Sequence, residues 1–351
     1  MGADLSAEAI EVREINRDTA GIVAELLFKV FGYTYGEPWL YSPDDVSRAL
    51  EDGRAHFMAA FDSNGVARGL VGLRRQFPSP DLAMLGQLVI DPVVEQADSG
   101  QYLRLLMKAA HDKAWDLALT TNLKALVLQE VTEHQLTQRL GRIMKFKTTG
   151  ILLGVTPAWV ERLRKPPVDR VSFKAGALVR PVEDTHRLSE VVSVRPIPRT
   201  FKAPFEVCLP ERFADLLADI YESLKATVEF VEPQPPAKAT VLDCQYDYMK
   251  SIARVEILEV GTDAPDLLSE RLDHYRAGDA HVIQFVLPLG QGDINPAVER
   301  LTQEGCKYGA LLPAYRTCDV LIMQLALKPT LELRDKNLFN PMARRILREV
   351  T

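Results

Sequence analysis

The chain opens on a two-residue rhythm. In AIEVREI, Ile10, Val12 and Ile15 flank polar positions, which predicts a strand. The spacing then lengthens to three and four. Ile22, Val23, Leu26, Leu27 and Val30 form one stripe of a helix over Ala20–Val30, with Asp18 and Thr19 as its expected caps. An aromatic loop, GYTYGEPWLYSP, follows, and Ser42-Pro43-Asp44-Asp45 starts a short helix that ends near Leu50. His56–Phe61 and Ala67–Arg75 flank the turn Asp62-Ser63-Asn64-Gly65 and read as a hairpin. Leu82–Ile90 is a further strand ending at Asp91-Pro92, and Gln101–Leu119 is an amphipathic helix. Leu123 and Ala125–Leu128 make a buried strand that leaves through Gln129 and Glu130. A helix from His134 to Met144 and a strand over Gly150–Val155 complete the order β-α-α-β-β-β-α-β-α-β.

A linker is marked by Pro157, Pro166, Pro167 and Pro181. Beyond it the pattern predicts a helix over Pro210–Leu224, the loop EPQPPAKA, and strands Ala239–Asp247 and Ser251–Leu258. Helix Ala264–Tyr275, strand Ala280–Leu287, helix Pro296–Glu304 and strand Val320–Ala326 come next. The last five of these repeat the strand-helix-strand-helix-strand order of the first half. HQLTQRLGRIMKFKTTGILLG also echoes NPAVERLTQEGCKYGALLP: a helix, a basic-aromatic stretch, then Gly-x-Leu-Leu. The expected division is into residues 1–165 and 166–351, each a mixed α/β (α+β) unit with a mostly antiparallel sheet flanked by helices.

Composition narrows the function classes. At 351 residues, 47% hydrophobic and 26% charged, the chain is an ordinary globular one. With 42 Lys+Arg against 48 Asp+Glu the net charge is −6, without the basic surplus that a nucleic-acid backbone demands. The expectation is no nucleic-acid partner. No apolar run reaches the roughly 18–20 residues that span a bilayer, and MGADLSAEAI has no secretory pattern, so no membrane partner is expected. Four cysteines without a CxxC pair suit a reducing cytoplasm.

The chain has no GxSxG elbow, no GxxxxGK[ST] loop and no GxGxxG turn. Its six histidines never pair at i+2, i+3 or i+4, so no metal site is expected. What remains is a strand ending at Pro92, an irregular loop and a helix whose first amides face that loop. Such a junction can hold a phosphate on free N–H groups and the positive end of the helix dipole.

These residues and their order resemble the GNAT acyltransferase superfamily, whose members transfer an acyl group from acyl-CoA to an amine. LGQLVIDP resembles the family's fourth strand, and FKTTGILLG follows a helix as its last strands do. GYTY…YSP and TEHQLTQR resemble a bacterial subgroup with a second GNAT-like half, whose start VRPIPRTFKAPFEVCLPERFADLLADIY resembles. The resemblance implies two GNAT-like domains, the second non-catalytic, and acetyl-CoA or another acyl-CoA as co-substrate. It further implies a small-molecule or protein amine as acceptor.

Carried onto this sequence, the resemblance places the CoA moiety against Leu88, Val89 and Ile90 at the strand end. It places the pyrophosphate on the loop VVEQADSGQY through Gln96, Ser99, Gly100 and Gln101, with Arg139 as a further phosphate contact. The loop also carries Glu95 and Asp98, which oppose a phosphate, and keeps one glycine where the family has more. The family's strand-four glutamate falls at Met84 and its acid tyrosine at Gly141. Glu130 and His134 are then the candidate catalytic groups, His134 being of near-neutral pKa. Capping of the following helix is the alternative for His134, and a solvated strand-end carboxylate is the alternative for Glu130. Tyr33, Tyr35, Trp39 and Tyr41 form the candidate acceptor pocket, or else an aromatic staple. The competing functional reading is an inert GNAT-like binding or regulatory module.

Overall fold

The computed structural model describes residues 10–75, 79–94, 96–132, 135–157, 187–201, 205–233, 236–290, 292–316, 318–328, 330, 333–334 and 338–350. They form two compact units.

The first unit is an antiparallel sheet of four strands in the order β1 (Glu11–Glu14), β2 (Ala55–Phe61), β3 (Ala67–Arg74) and β4 (Leu82–Ile90). Between β1 and β2 lie helices α1 (Gly21–Phe31) and α2 (Pro43–Glu51); α3 (Gln96–Thr120) follows β4. The two faces of the sheet are told apart by two glycines of β3. Any Cβ on Gly69 would stand 2.8 Å from Leu106 Cδ1, so that face lies under α3. Gly72 lies opposite Phe57, whose ring meets Trp39 at 6.4 Å, so the other face lies under the α1–α2 loop. The predicted elements form here, with two corrections. Asp18 and Thr19 do not cap α1, which starts without a side-chain cap. Asn16 instead accepts from the Thr19 amide and the Thr19 hydroxyl accepts from the Asn16 amide, closing a short turn over Arg17–Thr19. Helix α3 also begins five residues before Gln101, so Gln96, Ser99 and Gly100 belong to its first turns rather than to a loop.

The second unit contains β5 (Ala125–Val131), α4 (Leu136–Ile143), β6 (Lys147–Thr156), β7 (Leu188–Pro196), β8 (Phe205–Val207), α5 (Ala214–Leu224) and β9 (Val228–Phe230). It continues through β10 (Val241–Asp247), β11 (Ile252–Glu259), α6 (Ala264–Ala277), β12 (Val282–Pro288), α7 (Asn295–Gln303), β13 (Lys307–Tyr315), β14 (Cys318–Ala326) and α8 (Pro341–Val350). The strand order is β5-β7-β6-β13-β14-β12-β11-β10, antiparallel except for the parallel pair β11–β12, with β8 and β9 forming a small separate parallel pair. An internal symmetry is visible. In β5-α4-β6-β7 the last strand inserts between the first two, and β14 inserts in the same way between β12 and β13.

Strands β7, β8, β9 and β13 and helix α8 are absent from the sequence-based expectation. The run LSEVVSVRP of β7 lies just past a proline-marked stretch, and Gly309 and Pro313 interrupt the pattern of β13. The two insertions meet where β6 pairs with β13 at Gly150 and Ala310. The backbones approach so closely that a Cβ on Gly150 would overlap Ala310. Gln324 then stitches the layer together. Its amide donates to the carbonyls of Ile151 (2.7 Å) and Tyr308 (2.9 Å), and its oxygen accepts from the Leu153 amide (2.8 Å). Three buried backbone groups on two strands, β6 and β13, are thereby satisfied by one side chain of β14.

Candidate functional site

In the first unit the fourth strand does not stay in register. Gly72 pairs with Gly86 and Leu70 with Val89, so Gln87 and Leu88 together face Val71. Gln87 takes φ +49°, which marks a β-bulge. The extra residue is left out of the regular ladder beside the expected Leu88, Val89 and Ile90. Val89 is buried, while Leu88 and Ile90 are half-buried.

The strand then ends at Asp91, whose carboxylate accepts from the Val93 amide (3.1 Å) and is paired with Arg68 (3.1 Å) and Lys29 (3.4 Å). Its charge is thereby neutralised before the chain enters α3. At Gly100 an added Cβ would meet nothing within 4 Å, so the backbone of this part of α3 is open. Ser99 and Gly100 are half-buried, Asp98 is exposed and Gln101 is half-buried.

The α1–α2 loop folds onto the bulged strand through its aromatic residues. Tyr41 is fully buried. Its hydroxyl donates to Gly32 O (2.7 Å) and accepts from the Tyr35 amide (3.2 Å), which fixes the loop's curvature. Tyr33 packs between Phe28 (4.8 Å) and Tyr41 (5.6 Å), and Tyr35 lies on Phe31 (5.0 Å). Tyr35 receives a hydrogen bond from Gln87 Nε2 at 3.0 Å. Trp39 lines a cleft of about 320 Å³ with Asp45, Arg48 and Arg54. Tyr41 therefore props the loop, whereas Tyr33, Tyr35 and Trp39 remain half-buried.

Glu37, the loop's one carboxylate, forms an ion pair with Arg74 at the end of β3, and the same guanidinium donates to Met84 Sδ at 3.2 Å. A carboxylate thus stands close to Met84, delivered by the loop rather than by the strand. Sequence reasoning missed Glu37, Arg74 and Gln87. The available signal was a lone acid inside an aromatic run, facing a strand that ends in Arg74-Arg75.

In the second unit Glu130 sits near the end of β5 and is 2% exposed. Ser193 of β7 donates to its Oε2 at 3.0 Å, and its Oε1 has no hydrogen-bond partner among the described residues. Burial pushes the Glu130 carboxyl up to about 8, against the lowering effect of the Ser193 hydroxyl. The carboxyl is therefore neutral at pH 7, not a solvated strand-end carboxylate. A Cβ on Gly141 of α4 would overlap Glu130 Oε1, so the glycine makes room for the acid. His134 lies outside the described residues, and the side chain of Gln96 is likewise not described.

Arg139 lies over the Phe339 ring at 5.3 Å, with Arg142 at 5.4 Å. Gln138 is buried and accepts from the Phe339 amide at 2.9 Å. Among the described residues no three His, Cys, Asp or Glu side chains are grouped to hold a metal ion. No described helix is long and apolar enough to cross a membrane.

No family model and no curated protein matches the chain. Among solved structures, it is similar to an acetyltransferase of the GNAT family from Streptococcus pneumoniae, with 15% identity, TM-score 0.38 and coverage of 54% of this chain and 100% of that one. A ribosomal-protein-S5-alanine acetyltransferase from Vibrio fischeri gives 11% identity and TM-score 0.35, covering 53% and 92%. A GNAT superfamily phosphinothricin acetyltransferase from Sinorhizobium meliloti, in complex with AcCoA, gives 13% and 0.37, covering 54% and 88%.

Proposed function

We propose that the chain is an acyl-CoA-dependent N-acyltransferase whose acceptor is an amine. The observation that carries this reading is the bulge at Gln87–Leu88, followed by the neutralised Asp91 turn and the open backbone of α3 at Gly100. A bulge takes peptide groups out of the ladder, and an N–H freed in this way can hold a thioester carbonyl as charge develops on its oxygen. The start of α3 suits a pyrophosphate, and the pairing of Asp91 with Arg68 and Lys29 removes one source of repulsion. Acyl-CoA, when bound, supplies the activated acyl group. Leu88, Val89 and Ile90, with Gln96, Ser99, Gly100 and Gln101, are the residues proposed to hold it, and Arg139 is proposed to reach its phosphates.

Glu130, neutral at pH 7, is a hydrogen donor in waiting rather than a base. Its proposed role is to hold α4 and β7 together within the second unit, while His134 is proposed as the titrating group. Tyr33, Tyr35 and Trp39 are proposed to line the acceptor pocket, with Tyr41 as their support. The chemistry would suit a small-molecule amine or an amine on a protein, in the cytoplasm.

We further propose that the chain is a tandem, with residues 1–165 catalytic and residues 166–351 a non-catalytic second copy. This division requires β7, which follows it in the chain, to pair back between β5 and β6. The strand order of β12–β14 supports the duplication. Beside α6 the corresponding junction is filled. The Thr240 amide and hydroxyl donate to Asp263 Oδ1 at 2.8 and 2.7 Å, and the Thr262 amide is taken by Ala237 O at 3.0 Å. The amides of Thr240 and Thr262 beside α6 are thus already engaged.

A thermal-shift and calorimetric titration with acetyl-CoA tests the reading. Ligand at about 100 times its dissociation constant adds roughly 2.7 kcal/mol of stability. Gly100→Leu has open space around its Cβ, so the variant is expected to keep its fold and lose the shift. No shift at millimolar CoA in the unmodified chain overturns the transferase and leaves a binding module.

A further inference from the structure

In the second unit, helix α4 is turned inside out. Gln138 and Gly141 form its buried side, whereas Leu136 and Ile143 are 50% and 74% exposed. Gly141 faces inward because Glu130 takes the space that a Cβ would need. Leu136 and Ile143 are seven positions apart, so they lie on one stripe and form an apolar ridge in water.

The charge around this ridge is one-sided. Residues 135–156 contain four cations, Arg139, Arg142, Lys145 and Lys147, and no acid. All four are exposed, and none has a carboxylate partner among the described residues. Helix α4 meets α8 at Phe339, whose amide donates to Gln138 and whose ring lies against Arg139 and Arg142. Helix α8 buries Ala343, Ile346 and Leu347 and presents Arg344 and Arg348 to solvent. Residues 135–156 and 338–350 together hold seven bases against one acid, in a chain of net charge −6.

Beyond α8 the sign reverses. Arg345 pairs with Asp219 of α5, and Asp215 and Glu222 of α5, again seven positions apart, are exposed. Residues 205–233 carry seven acids against two bases. Phe230, 55% exposed, lies beside α5 with its ring 6.5 Å from Tyr221. A basic zone with an apolar ridge thus borders an acidic zone with an apolar ring, and the Arg345–Asp219 pair joins them.

We propose that this surface pairs with a second copy of the chain about a two-fold axis, with α4 and α8 of each copy lying on α5 of the other. Opposite charges then meet twice, and Leu136, Ile143 and Phe230 leave water. A head-to-tail contact would leave one zone open at each end of the assembly, whereas a two-fold pair closes both. The pairing is a property of the second unit and does not rest on the transferase reading.

Sedimentation of the full chain over a range of concentrations, in 0.1 M and 1 M NaCl, tests the proposal. The unmodified chain is expected to be a dimer. Its dissociation constant is expected to rise at least tenfold at the higher salt, where the screening length falls from about 10 Å to about 3 Å. Lys145→Glu with Lys147→Glu, and separately Asp215→Lys with Glu222→Lys, are each expected to weaken the dimer at least tenfold. An equimolar mixture of the two double variants is expected to restore it, because their exchanged charges are complementary again. Ile143→Ser is expected to weaken the dimer and leave its salt dependence in place. All five side chains are exposed, so melting temperature and acetyl-CoA affinity are expected to stay as they were.

A monomer throughout, a dimer untouched by both double variants, or a mixture that does not recover overturns the proposal. Growth into species larger than a dimer overturns it as well. Loss of acetyl-CoA affinity on reversing Lys145 and Lys147 would assign the basic run to the cofactor and overturn the docking role. If the dimer responds as expected and no CoA binds the unmodified chain, the pairing stands and the transferase falls.

Discussion

Replacing Glu130 by glutamine separates its charge from its shape. The carboxyl is 2% exposed, has Ser193 as its one hydrogen-bonding partner among the described residues, and titrates at about 8 instead of the usual 4.5. Below pH 4.5 both folded and unfolded chains carry its proton, and Glu130 does not affect stability. As pH rises the unfolded chain ionises first, while the folded chain keeps its proton until about pH 8. Each pH unit in that window weakens folding by about 1.4 kcal/mol, and the loss is complete above the folded pKa. The full interval corresponds to roughly 5 kcal/mol.

Glu130→Gln has nearly the same shape, can still accept from Ser193, and has no proton to lose. Urea unfolding followed by far-ultraviolet circular dichroism at pH 5, 6, 7, 8 and 9 reads the difference. The two chains should lie within about 1 kcal/mol at pH 5, with the variant gaining steadily to about 4–5 kcal/mol by pH 8.5 and then levelling off. A difference that stays within about 0.5 kcal/mol across the series would refute the argument, because an acid already ionised in the folded state has no such window.

Two further substitutions probe the second unit. Gly150→Val puts side-chain atoms where β13 carries Ala310, and because the obstacle is backbone it should cost roughly 3 kcal/mol or more, read as a fall in denaturation midpoint. Gln324→Leu keeps the bulk but leaves the carbonyls of Ile151 and Tyr308 and the amide of Leu153 buried without partners. It is expected to cost about 2–5 kcal/mol and to speed hydrogen exchange at Leu153, and an unchanged exchange rate would count against the stitching role.

Much of the architecture was legible in the chain. The alternation in β2 to β4, the three-four stripe of α1 and the Ser42-Pro43 start of α2 are local patterns, and each element formed where its pattern lies. The same holds for α6, β12 and α7, whose apolar periodicity is unbroken. The aromatic loop announced itself by composition, and its packing onto a strand follows from the cost of leaving several rings in water.

What the chain did not disclose has one physical cause: partners separated by long stretches of sequence. Strand β7 is recognised by the two strands it pairs with, β5 and β6, not by its own short pattern. Gly150 reads as any glycine until β13 arrives against it from 160 residues further on. Glu130 reads as a strand-end acid until Gly141 clears a space for its carboxyl and burial keeps it protonated. Glu37 and Arg74 are 37 positions apart, and the bulge at Gln87 exists only in the register between two strands. Local periodicity reports which side of an element is buried. Charge state, spare hydrogen-bonding capacity and open space are set by what the fold brings to that side, and these decide the chemistry.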